Sequence, residues 1–398
     1  MIIDIVFYIT MYVSLFMSVF WLIVYFGRDE KTTGIKTSEP LTILIPTYNK
    51  GHLISKTIES LEKQSYPKLG IIVIDDGSTD STKSVVGELV KKFRNISYHR
   101  KRNTGKASSL NFGLKMVRTP YFGFIDADTY MSKNVLAGMM RHFSGNVACV
   151  TAAIKPSSAK NFVEKIQKIE YTISSLTRKL MSRINALYFT PAFAIYRTDV
   201  IKNLGGFDEN NITEDLEIGL RLKSRNYGIY NSIESVVFTD VPKTFSEFFR
   251  QRMRWYRGHI YNTMKYSNVL FNSKFGDLGI LVLPAQYVLL ALTTVMLFYG
   301  IYDLAASMLQ KLVDFWLIGL DFGYTARNFT LNIITPTTFF ILSLLASFIA
   351  ILKLSEKKTR ERISSIEYAI YIISYPFINI FLWITAFVQE ILKTKKRW

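Results

Sequence analysis

The sequence predicts an α/β domain with a mostly parallel sheet, held at a membrane by apolar helices on either side of it. Three observations lead there. Residues 5–27, 278–302, 330–352 and 368–389 contain no Asp, Glu, Lys or Arg, and each run is long enough to cross a hydrocarbon core of roughly 30 Å. A mean hydropathy of +0.17, with 49% hydrophobic residues among 398, is too apolar for a purely soluble protein. Between the first and second runs, short apolar segments alternate with helical patterns, the mark of βαβ units with right-handed crossovers.

The elements follow in order. Residues 1–27 read as a retained anchor, because no basic residue precedes the apolar run and no small-residue cleavage site follows it. Arg28, Lys31 and Lys36 come directly after it, so the positive-inside rule puts the N-terminus outside and residues 28–275 in the cytoplasm. A cytosolic domain is expected over 28–243, an amphipathic interface region over 244–275 and a C-terminal membrane region, with about three spans, over 276–398. Within the domain the pattern predicts a strand Thr42–Pro46, a helix near 52–63, a strand Ile71–Asp75, a helix near 80–93, a helix from Asn103 to Met116, a strand from Tyr121 to Asp126 and a helix near 133–143. Phe162, Ile166, Ile169, Ile173, Leu176, Leu180 and Ile184 mark one face of a long basic helix, lying either on the membrane or on the domain. Residues 304–329, interrupted by Asp314, Asp321 and Arg327, read as re-entrant or interfacial. Four crossings place the basic loop 353–367 in the cytoplasm and the tail with Lys393, Lys395, Lys396 and Arg397 outside, against the positive-inside rule.

The single Cys149 excludes an intramolecular disulfide framework, and His52, His99, His142 and His259 are too scattered for a Cys/His metal cluster. Most of the net charge of +18 falls on residues 28–275. Such a charge suits nucleic acid, anionic lipid or a phosphate-bearing substrate, and a basic domain lying against an acidic membrane surface accounts for part of it.

In parallel sheets ligands gather at the carboxyl ends of the strands. The first strand ends in Pro46-Thr47-Tyr48-Asn49 and the second in Asp75-Asp76-Gly77-Ser78-Thr79-Asp80. These polar ends suit a nucleotide, since an acid there accepts hydrogen bonds from a ribose hydroxyl or a base N–H; they are equally ordinary turns. Asn103-Thr104-Gly105-Lys106 opens a helix, where glycine lets the backbone come close and lysine suits a phosphate. Neither GxGxxG nor a Walker A pattern occurs. The strand Tyr121–Ile125 delivers Asp126-Ala127-Asp128, two carboxylates that can hold Mg²⁺ or Mn²⁺ with phosphates completing the shell, or simply end a strand. Thr213-Glu214-Asp215 precedes a helix Leu216–Arg225, either as an N-cap with acids in the first turn or as the seat of a general base. In Thr244–Tyr266 the residues Phe245, Phe249, Met253, Tyr256, Ile260 and Met264 form an apolar stripe fit for a membrane interface. Gln251, Arg254 and Trp255 fall opposite it, where an indole can stack on a sugar ring and Gln and Arg can bind polar or phosphate groups.

Taken together, PTYN, DDGSTD, NTGKASSLNFG, DAD, TED and QRMRW, in this order over about residues 42–260, resemble the membrane-integrated family 2 glycosyltransferases. That group includes the hyaluronan, cellulose, poly-N-acetylglucosamine and chitin-oligosaccharide synthases. The resemblance implies a GT-A fold, a UDP-sugar donor, Mg²⁺ or Mn²⁺ and inversion of the anomeric centre. It places Asp75 and Asp76 at the uridine, Lys106 near the nucleotide, Asp126 and Asp128 at the diphosphate and its metal, and Asp215 as the base. Pro46, Thr47, Tyr48 and Asn49 belong to the nucleotide site, and Glu214, Gln251, Arg254 and Trp255 to the diphosphate and acceptor sugar. The QxxRW match favours repeated addition to a growing β-linked polysaccharide or oligosaccharide at the plasma membrane. Single addition to a lipid-linked or protein-linked acceptor is the second reading, and a catalytically silent nucleotide-sugar-binding channel subunit the third; an intact Asp126, Asp128 and Asp215 argues against the third. The implied partners include a lipid bilayer and no nucleic acid, and the oligomeric state is left open. The chain departs from the group at Tyr188-Phe189-Thr190-Pro191-Ala192, where polymer synthases carry small residues, and it has no counterpart of the cellulose synthase gating-loop motif or of a WGTR-like motif.

Overall fold

Leu41–Thr47 is largely apolar on both faces of its pleat and every one of its residues is buried, which makes it the central strand β1 of a sheet covered on both sides. The structure is a computed structural model and describes residues 2–27, 39–318, 336–392 and 394. Parallel to β1 run β2 (Leu69–Asp75) and β4 (Tyr121–Ile125), with β3 (Ile96–Arg100) parallel to β2 at the edge. The sheet continues through β5 (Thr129–Met131), β6 (Val147–Pro156), β7 (Phe193–Arg197) and β8 (Gly228–Thr239) in the order β3-β2-β1-β4-β7-β6-β8-β5. Strand β7 runs antiparallel to both β4 and β6, β8 lies parallel to β6, and β5 closes the edge antiparallel to β8. In the parallel half β1, β2 and β4 are the strands the sequence pattern predicts and β3 is an addition to them; the mixed half comes from pairings between distant segments.

Alternate residues of β1 enter opposite layers. Ile43 and Ile45 join Ile54 and Ile58 of α2 (Gly51–Glu62), while Leu44 joins Leu110 of α4 (Lys106–Met116). Helix α3 (Thr82–Lys92) lies with α2, and α5 (Val135–Met140) follows β5. Helix α6 (Phe162–Arg183) starts at an Asn161–Glu164 capping box and buries Ile166, Ile169, Leu176 and Leu180 against β6 and β8. Of its two predicted settings, it takes the domain. Helices α7 (Thr198–Asn203) and α8 (Glu214–Ser224) complete the domain.

By its contacts the chain forms two units, Met1–Gly27 with Val282–Leu354, and Arg28–Leu281 with Ser355–Trp398. The first contains α1 (Ile2–Phe26) and the helix Leu283–Ile318. Residues 304–318 continue that helix, so the predicted interfacial segment 304–329 is not separate over its described part; 319–329 lie outside the described residues. Among the described residues three helices are long and apolar enough to cross a membrane: Ile3–Phe26, Leu278–Val313 and Ser365–Ile391. The third predicted run, 330–352, begins outside the described residues, and its described part lies in the helix Pro336–Thr359.

In the second unit, α9 (Phe245–Lys265) opens at a Thr244–Glu247 capping box and packs along the C-terminal helix Ser365–Ile391. Tyr256 stacks on Trp383 with ring centres 4.6 Å apart, Phe249 meets Phe381 at 6.2 Å, and the Tyr256 hydroxyl donates to Asn379 Oδ1 at 2.6 Å. Such an aromatic pair is worth about 0.5–1.5 kcal/mol beyond its buried area. The centre of the apolar stripe expected to face lipid is therefore covered by protein, and only Phe245 and Met264 at its ends are well exposed. The covering helix begins about a hundred residues after α9 ends, beyond the reach of a local pattern.

Candidate active site

Thr47 and Asp75 are register partners, so the first two polar strand ends stand side by side, and β4 brings Asp126 next to them. Asp75 is fully buried; its Oδ1 accepts the Ser78 N–H at 2.7 Å, its Oδ2 accepts the Tyr98 hydroxyl, and Arg100 Nε lies 3.8 Å away. Asp76 accepts the backbone N–H groups of Thr104 at 3.0 Å and Gly105 at 2.8 Å, and Lys101 Nζ sits 2.5 Å from it. The second acid thereby folds the loop before Lys106 onto the strand ends. Asn49 adopts the left-handed region with φ 52°, where its Oδ1 accepts the Thr79 N–H at 2.8 Å and its own N–H donates to Ser78 Oγ at 3.0 Å. Tyr48 is half exposed beside it, while Pro46 and Thr47 are buried.

Lys106 draws the acids together. Its Nζ lies 2.6 Å from Asp126 Oδ1 and 3.0 Å from Glu214 Oε1, above the Phe124 ring. Burial works against its charge, but Asp126, Glu214 and Asp215 outweigh that and hold its pKa above the ordinary lysine range. Burial and then the neighbouring Glu214 push the Asp215 carboxyl up to about 6, against the pull of Lys106 and Arg254. Its backbone carbonyl accepts the Thr190 hydroxyl at 2.8 Å, and its Oδ1 accepts the Leu216 N–H at 2.9 Å, so the side chain is held by its surroundings. A carboxylate with that pKa is ionised at neutral pH and still basic enough to take a proton.

Lys50 Nζ lies 2.9 Å from Asp128 Oδ2. Among the described residues no three His, Cys, Asp or Glu side chains form a ready metal cluster. Asp126 and Asp128 are hard oxygen donors at an accessible strand end, about a third and a quarter exposed. Two such donors fit Mg²⁺ or Mn²⁺ when a diphosphate supplies further oxygens.

On α9, Arg252 organises the predicted acceptor residues. Fully buried, it pairs with Glu170 at 2.5 Å, donates from Nη1 to Gln251 Oε1 at 2.5 Å, and places its guanidinium 4.1 Å from the centre of the Trp255 ring. Arg254, by contrast, acts on Asp215. The sequence reading missed Arg252; its signal was a second row at helical spacing, Phe248, Arg252, Trp255 and His259. Further along α9, Gly258 makes room for Thr213: a Cβ at 258 would stand 2.3 Å from Thr213 Oγ1. Asn262 Nδ2 donates to the same oxygen at 3.0 Å. The helix bearing Gln251 and Trp255 is thus seated on Thr213, which caps the helix α8 whose first turn bears Glu214 and Asp215.

The eight-stranded mixed sheet, its layers of helices and its apolar helices before and after the domain define a GT-A glycosyltransferase fold. Residues 42–205 match the Glycosyl transferase family 2 model, and the chain carries a family 2 glycosyltransferase domain. It is similar to the poly-beta-1,6-N-acetyl-D-glucosamine synthase of Staphylococcus epidermidis, with 28% identity over 270 residues, 64% of this chain and 65% of that protein. The protein of the same name from Staphylococcus aureus strain COL is 27% identical over 258 residues, 61% of this chain and 62% of the relative. The chain thus spans somewhat less than two thirds of the length of these relatives. Among solved structures, the mannosyltransferase PcManGT from Pyrobaculum calidifontis, in complex with GDP-Man and Mn²⁺, shares the fold with a TM-score of 0.63 at 19% identity, covering 88% of this chain and 98% of that one.

Proposed function

We propose that this chain is an inverting, processive glycosyltransferase that extends a β-linked polysaccharide from a UDP-sugar at the cytoplasmic face of the plasma membrane. The observation that carries the reading is the convergence of Asp126, Lys106, Glu214 and Asp215, with the Gln251 and Trp255 helix seated against them. The names of the staphylococcal relatives make N-acetylglucosamine the first donor sugar to test.

In this reading Asp215 takes the proton of the acceptor hydroxyl as its oxygen bonds to the anomeric carbon, and the bond to the diphosphate breaks on the opposite side, inverting the centre. Lys106 and Arg254 meet the negative charge that grows on the departing diphosphate, an interaction stronger in the transition state than before it. Asp126 and Asp128 would hold a divalent ion, which when bound neutralises part of that charge. Trp255, steadied by Arg252, offers its ring to the acceptor sugar, and Gln251 a hydrogen-bonding amide. The three long apolar helices support the membrane setting, and Arg28, Lys31 and Lys36 support a cytoplasmic domain.

The test is to reconstitute the purified full chain in nanodiscs, supply a panel of radiolabelled UDP-sugars with Mn²⁺, and size the products. A ladder of long β-linked chains from one donor is the expected result. One added sugar per acceptor would establish the single-addition reading instead, and binding without transfer the channel-subunit reading.

A further inference from the structure

The first half of α6 and the first turns of the C-terminal helix enclose a cavity of about 350 Å³. Its walls are Ile166, Ile169, Ile366 and Ile370, with Phe162 at the mouth and Lys160 and Lys165 on the rim. The apolar wall does not stop there. Ile366, Ile370, Ile373, Phe377 and Phe381 recur at helical spacing on the C-terminal helix, and all are exposed, Ile366 by 73%. An uninterrupted apolar face of that length on a helix able to span a membrane is suited to acyl chains, and the cavity sits at its head.

The rim chooses among lipids. Lys165 lies 3.3 Å from Glu367, whose carboxylate is already engaged in the helix cap through the Ser364 N–H at 3.0 Å. Glu164, one residue before Lys165, is turned into the α6 cap by the backbone N–H groups of Lys160 and Asn161. Lys160 is exposed and makes no ion pair among the described residues. Two ammonium groups thus face one committed carboxylate, a balance that favours a headgroup with net negative charge over a zwitterionic one, which brings its own cation. We infer that this cavity binds one anionic phospholipid, with its phosphate between Lys160 and Lys165 and its acyl chains along the Ile370-to-Phe381 face.

The inference rests on the proposed membrane setting, and the two fail separately. Extraction of the chain from membranes by alkaline carbonate without detergent would overturn the setting. For the site itself, full-length protein in nanodiscs of mixed phosphatidylcholine and phosphatidylglycerol is released into native mass spectrometry and retained lipids are counted. Wild type should keep one phosphatidylglycerol per chain in preference to phosphatidylcholine. The Lys160→Gln/Lys165→Gln variant should lose about fivefold of that preference for each lysine. Lys91→Gln/Lys92→Gln, at the end of α3 and away from the cavity lining, should retain it. Equal retention of both lipids by wild type, an unchanged K160Q/K165Q variant, or an equal loss in K91Q/K92Q would each overturn the site. Because Lys160 is exposed and the Lys165 side chain is 45% exposed, little change in thermal melting of the variants is expected, and it is measured alongside.

Discussion

Asn211 and Asn262 exchange side-chain amide hydrogen bonds at 2.7 and 3.2 Å, both fully buried, and so join the loop leading into α8, whose first turn carries Asp215, to the helix that carries Gln251 and Trp255. Asn262→Leu keeps the branched outline at somewhat larger volume, removes the exchange and leaves the Asn211 amide without its partner. We expect turnover to fall at least tenfold with donor KM within a few-fold, and stability to fall by about 1–3 kcal/mol. Steady-state kinetics and thermal melting read both; wild-type turnover in a destabilised protein would make the pair merely structural.

Asp215→Asn should reduce transfer by roughly 10²–10⁴ while UDP binding stays within a few-fold, because the base is lost and the nucleotide contacts remain. The wild-type pH profile carries the same information. With its carboxyl pushed up to about 6, Asp215 is the active carboxylate above that pH and gains its proton below it, so kcat/KM should fall on the acid side with an inflection near 6. A flat profile from pH 5 to 8 would remove Asp215 from proton transfer.

Asp128→Ala should weaken nucleotide binding as well as turnover, and excess EDTA should abolish activity until Mn²⁺ or Mg²⁺ is restored. Calorimetry of UDP binding with and without the ion separates the two effects. Undiminished activity in EDTA would leave Asp126 and Asp128 as partners of Lys106 and Lys50 alone.

Trp255→Ala should shorten the product while donor hydrolysis by water continues. Arg252→Lys should do the same to a lesser degree: a lysine keeps a charge for Glu170 but has no planar fork for Gln251 and a weaker hold on the Trp255 ring. Product length measured by gel separates both variants from Asp215→Asn, which should lower the amount of product at every length rather than shorten it.

What the sequence made legible was local. Strands β1, β2 and β4 are buried apolar runs that end in turn-forming polar residues, so both their existence and their ends could be read. Strand β5, three residues long, owes its place to pairing with β8, where Thr129 meets Thr239 across 110 residues. Strand β7 reverses the sheet by pairing with β4 and β6, and no short window holds that information. The site follows the same division. Each acidic motif was visible, whereas the meeting of Lys106 with both Asp126 and Glu214 needed the fold. On α9 the apolar stripe was read as a membrane-interface face, and over most of its length it is instead covered by another helix, which no local pattern reveals.

Arg257 donates to Glu390 at 2.6 Å across 133 residues of chain, and that separation is also a delay. At roughly 5–20 residues per second, a ribosome that has finished α9 needs on the order of ten seconds to supply the glutamate and, just before it, Trp383 and Asn379. Throughout that interval the nascent domain already holds every motif from PTYN to QRMRW, yet Phe249 and Tyr256 lack the Phe381, Trp383 and Asn379 they pack against. A fragment cut after residue 275 would remain permanently at that stage: rich in recognisable motifs, adhesive along one helix, and missing the wall that fixes where Trp255 stands.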